Sequence, residues 1–141
     1  MALFRFTEAI AEGRPIDVYG EGRMRRDFTL VDDTVSAVTR LIDKVPVMGK
    51  PVEGDSLSPV APWRAVNIAG GRPVELMAFI EAIEAAMGRE AKKNMLPMQA
   101  GDVTDTAADV SLLRTLVGDV PQTAVADGVR AFVEWWRDWR R

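Results

Sequence analysis

Three groups of residues in the 141-residue chain could do chemistry. The first is Asp17-Val18-Tyr19, at the end of a short apolar run and just before Gly20-Glu21-Gly22. The second is the arginine pair Arg25-Arg26, followed by Asp27 and then by Asp32 and Asp33. The third is Gln99-Ala100-Gly101-Asp102, after Met95-Leu96-Pro97. The chain has no cysteine and no histidine. That excludes disulfides, thiol nucleophiles and thiolate metal sites, and makes a zinc site unusual. Acid–base work would fall to Asp, Glu, Lys or the single tyrosine, Tyr19. Most hydrolase and metalloenzyme readings are thereby removed.

Each group has a bland reading beside a chemical one. Gly20-x-Gly22 has only part of a dinucleotide fingerprint, because the third glycine position holds Arg25 and a strand is expected next, not a helix. An ordinary turn is the simpler account. Tyr19 has Arg23 four residues on, where a Tyr-x-x-x-Lys pair would need lysine, so it is a poor base. It either packs beside a flat ring or fills a core. In a strand, Arg25 and Arg26 point to opposite faces, and an inward arginine needs an anion. Asp27, Asp32 or Asp33 could supply it structurally; a diphosphate facing a guanidinium fork is the alternative. Gln99 to Asp102 alone is a turn. Trp135, Trp136 and Trp139, beside Phe132 at helical spacing, read as core or interface before they read as a stacking platform.

These groups need elements to hold them. Residues 1–12 carry Leu3, Phe6 and Ile10 at helical spacing, with Gly13 and Pro15 ending the run. Ile16 to Tyr19 reads as a strand, Gly20 to Gly22 as a turn and Arg26 to Leu30 as a second strand, which suggests a β-hairpin. Asp32 or Asp33 would cap a helix with Val35, Val38, Leu41, Ile42 and Val45 on one stripe. Prolines 46, 51, 59 and 62 make residues 46–62 a loop. Arg64 to Ile68 reads as a strand, and Pro73 as a first-turn proline. A helix follows through Leu76, Phe79, Ile80, Ile83 and Met87 to Gly88. Lys92 to Leu96 reads as a strand. Asp109 or Ser111 would cap a short helix through Leu112, Leu113, Leu116 and Val117, and a last helix runs from Val125 to Trp139 with Val129, Phe132, Val133 and Trp136 on one face. The order is mixed α and β, without an evident complete sheet.

Hydrophobic residues make up 48% and charged residues 28%, a globular balance for one domain of ordinary size. The net charge of −3 argues against nucleic acid as the main partner, although arginines 23, 25, 26, 137, 140 and 141 could form local anion patches. No membrane span or signal peptide is evident, which points to the cytoplasm.

In order and nearly in spacing, several segments resemble the C-terminal half of a UDP-glucuronate 4-epimerase, in the extended short-chain dehydrogenase/reductase superfamily. They are Met1 to Phe6, Gly13 to Tyr19, Met24 to Asp33, Val66 to Gly70, Pro73 to Leu76, Leu96 to Val103, Ala108 to Ser111 and Phe132 to Trp135. Met98-Gln99 followed by Gly101-Asp102-Val103 is similar to the glucuronate branch. The resemblance implies an α/β fold equal to the substrate-binding half of such an enzyme, without the Rossmann half that holds NAD. It implies that Arg26 meets the UDP diphosphate, that Asp17, Val18 and Tyr19 lie along the uracil, and that Gln99 to Asp102 reaches the ribose and phosphates. Thr104, Asp105 and Ala107 depart from the family's usual residues. The Gly-rich loop and the Tyr-x-x-x-Lys pair would lie upstream, so no catalytic residue and no NAD site is expected here. A UDP-sugar, UDP-glucuronate first, is the expected ligand, with no epimerisation by this chain alone. A helix and a strand that pack on the NAD half in relatives would lack cover, so a homo-oligomer is expected. The alternatives are a stand-alone UDP-sugar-binding module and a structural or assembly protein.

Overall fold

The computed structural model describes residues 2–141; Met1, in the first matched segment and the first helix, lies outside the described residues. The chain divides into two compact units. One is built from the chain up to Arg26, Pro73–Thr106 and Ala124–Arg141; the other from Asp27–Arg72 and Ala107–Thr123.

The first unit holds three helices, α1 (Ala2–Glu12), α3 (Leu76–Met87) and α5 (Val125–Trp139), and four strands, β1 (Pro15–Val18), β2 (Arg25–Arg26), β3 (Val74–Glu75) and β4 (Lys92–Met95). α3 packs on both α5 and α1. Its Phe79, Ile80 and Ile83 recur at i, i+1 and i+4 and are buried, as are Val129, Val133 and Trp136 of α5 and Ile10 of α1. Gly88 takes φ +68° and ends α3 as a left-handed cap, which glycine adopts without a Cβ clash. Glu84 accepts hydrogen bonds from the Lys93 ammonium and the Ala91 amide, tying α3 to β4. On the outer side of α5, Trp135 and Trp139 stack with centroids 6.0 Å apart, and Phe4 meets Trp139 and Phe132 edge-on.

The expected hairpin does not form. β1 pairs in parallel with β4, Pro15 opposite Lys92 through Val18 opposite Met95. β2 pairs antiparallel with β3 and is only two residues long, not the expected run to Leu30. Between β1 and β2, Gly20, Glu21 and Gly22 take φ of +58°, +54° and +75°. That is one left-handed residue more than a two-residue hairpin turn uses, and the chain does not return along β1. Pro73 precedes β3 rather than opening α3, which starts at Leu76.

The second unit holds α2 (Val31–Leu41), α4 (Ser111–Val117) and long connections. α2 packs on α4, and Ala37 and Leu113 are buried. Neither aspartate caps α2: the N-cap is Leu30, without a side-chain bond. Asp32 and Asp33 lie in its first turn, where negative charge meets the positive end of the helix dipole. Asp33 instead accepts from the Thr123 amide at 2.7 Å and its hydroxyl at 3.0 Å. Asp109 accepts from the Ser111 hydroxyl and amide just ahead of α4, which holds its carboxyl below the usual range. α2 ends at Leu41, short of the expected Val45. Residues 64–68 form no ladder; Asn67 is anchored by donating to the Asp109 carbonyl. Asp55 in the proline-rich loop and Arg64 just past it make a buried ion pair at 3.3 Å. No helix of the described residues is long and apolar enough to cross a membrane.

Candidate nucleotide-sugar site

The candidate residues gather at one end of the first unit. β1 and β4 run parallel, so the chain leaves both at the same edge. The carboxyl ends of parallel strands are where α/β sheets present ligand sites, because the loops diverge there and leave a crevice. Past β1 comes the left-handed turn; past β4 comes Leu96 to Asp102. Two backbone bonds tie them, Leu96 N–H to the Val18 carbonyl at 2.9 Å and Glu21 N–H to the Leu96 carbonyl at 3.2 Å. Asp17 is exposed and accepts from the Asn94 side-chain amide at 2.9 Å. Val18 is fully buried and contributes core, not surface. Tyr19 is half-buried.

The turn is packed in sulfur. A Cβ on Gly20 would stand 3.0 Å from Met24 Cγ and 3.1 Å from Met98 Cε; one on Gly22 would stand 2.5 Å from Met77 Cγ. Glycine is required on steric grounds as well as for its positive φ. The same crowding answers the dinucleotide question. A pyrophosphate cradle needs glycines open to the ligand at a helix N-terminus. Here thioethers fill that space, and the turn leads into β2, so these residues do not fit NAD.

Arg26 closes the other side. Its Nη1 donates to the carbonyls of Arg25 (2.9 Å) and Thr104 (3.1 Å), and its Nη2 to that of Val103 (2.9 Å). Asp102 Oδ1 lies 3.5 Å from Nη2, a loose contact beside the charge-assisted optimum of about 2.8 Å. The anion beside Arg26 is thus Asp102, not Asp27, Asp32 or Asp33. Asp27 accepts from the Gly71 amide, and Asp33 holds Thr123. Gln99 is exposed, and its carbonyl accepts from the Asp102 amide to close the turn. The resemblance points to Arg26, Gln99 and Asp102 but not to the Val103 and Thr104 carbonyls that Arg26 meets. Main-chain acceptors leave no residue-type signal. The other arginines are engaged locally: Arg23 with Glu21, Arg25 with Asp105 and the Pro73 carbonyl, Arg137 with carbonyls of α3, Arg140 with Glu8 and Glu12, and Arg141 with Asp138.

The family described as "NAD dependent epimerase/dehydratase family" matches residues 1–52. A probable UDP-glucuronate 4-epimerase of Rhizobium meliloti (strain 1021) is 52% identical over 146 residues, covering 100% of this chain and 43% of that protein. The chain is thus similar, along its whole length, to a fragment of members of the NAD-dependent epimerase/dehydratase family. Another member, UDP-glucuronate 4-epimerase 1 of Arabidopsis thaliana, is 34% identical over 141 residues, covering 96% of this chain and 32% of its own. Among solved structures, the UDP-glucuronic acid 4-epimerase of Bacillus cereus with UDP-glucuronic acid and NAD superposes with a TM-score of 0.77. It is 26% identical and covers 99% of this chain and 40% of that one. The fold is therefore the C-terminal part of UDP-sugar epimerase structures. The chain spans about a third to two fifths of the length of these curated relatives.

Proposed function

We propose that these 141 residues supply the UDP-sugar side of a UDP-glucuronate 4-epimerase site and act as a nucleotide-sugar-binding domain in the cytoplasm. Arg26 carries the reading: its guanidinium stands among the 102–104 acceptors at the carboxyl ends of two parallel strands, with only a loose carboxylate partner. A diphosphate offers the same planar fork shorter, stronger bonds. Asp17 and Tyr19 would border the base, and Gln99 and Asp102 the ribose and phosphates. Val18 would act only by holding that edge in place, since its side chain is core. NAD, where a family member holds it, supplies reversible oxidation of the sugar. The residues here bind and orient, and the chain alone does not epimerise.

Titration calorimetry with UDP tests the reading. Arg26→Ala is expected to weaken binding about tenfold to a hundredfold, because a charge-assisted fork contributes roughly 1.5–3 kcal/mol. Equal affinity in a folded Arg26→Ala protein removes Arg26 from the site. Turnover of UDP-glucuronate by the purified chain would remove the claim of inactivity.

A further inference from the structure

The thioethers around the left-handed turn differ sharply in access. Met24 is 8% exposed, whereas Met98 is 38% exposed while its methyl and sulfur still press on Gly20. Met98 sits midway between two fixed points of its segment. Upstream, Leu96 exchanges backbone bonds with Val18 and Glu21; downstream, Arg26 holds Val103 and Thr104. Between them, the Met98 side chain packs beside Gly20, and Asp102 Oδ1 reaches Arg26 at 3.5 Å.

We propose that Met98 is an oxidation-sensitive latch on this site, switched by a hydroperoxide. The proposal rests on the nucleotide reading above. A sulfur lone pair attacks the terminal peroxide oxygen and the O–O bond breaks. The sulfur is oxidised by two electrons to the sulfoxide, and the peroxide is reduced to water or an alcohol. The product is polar and bulkier than the thioether. The sulfur lies 3.5 Å from where a Cβ on Gly20 would stand, so on that side the new oxygen faces the main chain of the turn. Hydration of the polar sulfoxide draws it out to solvent, and the segment lifts with it. Lifting it moves Gln99 and Asp102 away from the turn and slackens the acceptors around Arg26. Met48 and Met95, 59% and 47% exposed, also oxidise, but neither is among the atoms nearest the Cβ position of Gly20.

The test treats the full chain with hydrogen peroxide, maps sulfoxides by mass spectrometry and measures UDP affinity before and after. Wild type is expected to lose about tenfold in affinity and to recover it with methionine sulfoxide reductase. Met95→Leu should lose as much. Met98→Leu, compared with its own untreated value, should lose little. Equal losses in Met98→Leu and wild type, or full Met98 oxidation with unchanged affinity, overturn the proposal. Amide hydrogen exchange at Leu96 and Asp102 separates this from failure of the nucleotide reading. Should the untreated chain take no UDP, faster exchange in oxidised wild type but not in oxidised Met98→Leu still supports the latch, and equal exchange in both overturns it.

Discussion

Helices α5 and α2 are alike in sequence and unlike in cover. Both carry apolar residues at helical spacing. On α5, Val129, Val133 and Trp136 are buried against α3. On α2, Ala37 is buried, but Val31, Val35 and Val38, and Ile42 just past its end, are between 48% and 67% exposed. Periodicity reports that a helix has an apolar face. It does not report whether this chain supplies the surface to meet it.

The largest effect should come from the covered side. Ile80→Ala is expected to cost about 2–5 kcal/mol in chemical denaturation, from lost transfer energy plus the cavity left behind. Val38→Ala on α2 should stay within about 0.5 kcal/mol. Similar losses at both positions would mean that α2 is covered after all. Next comes the carboxylate that fixes the first turn of α2. Asp33→Ala removes the charged acceptor of the Thr123 amide and hydroxyl and should cost roughly 1.5–3 kcal/mol. A neutral result would show that the clamp is dispensable. Third, the bare stripe should drive self-association. Sedimentation over a concentration series is expected to show a dimer or larger, and Val35→Glu with Val38→Glu should weaken it about tenfold or more. A clean monomer of the unaltered chain would sink the idea.

The smallest effect concerns Glu84. Burial alone would raise its pKa, but the Lys93 and Ala91 hydrogen bonds and the Lys93 charge outweigh it, so the carboxyl lies below its ordinary value of 4.5. A lowered folded pKa gives stability that is fully present above the unfolded value and is lost as pH falls through the folded one. Glu84→Gln should therefore flatten the stability profile below about pH 4.5. An unchanged acid limb would assign that loss to other carboxylates.

Much of this was legible in the residues. α3 and α5 follow from periodic apolar positions, and Gly88 marks where α3 stops. The matched segments named Arg26, Gln99 and Asp102 before any geometry. What stayed hidden was pairing across long sequence separation. Nothing near Ile16 says that its partner is Lys93, and nothing near Arg26 says that two main-chain carbonyls beyond residue 102 will hold it. The strand expected at 64–68 does not form for the same cause: a strand pattern is a statement about neighbours, and the described residues place none beside it. The caps failed differently, because Asp33 was taken by Thr123 and Leu30 ended in the N-cap position.

The placement of the indoles has an optical consequence. Trp135, Trp136 and Trp139 all lie on α5, while Trp63 stands alone in the proline-rich loop. Trp63→Phe would therefore leave every emitting indole on one helix, so that fluorescence reports the first unit only. The near-parallel stack of Trp135 on Trp139, 13° between planes, should add an exciton couplet to the circular dichroism spectrum. That couplet would fade when the end of α5 frays, before bulk ellipticity changes.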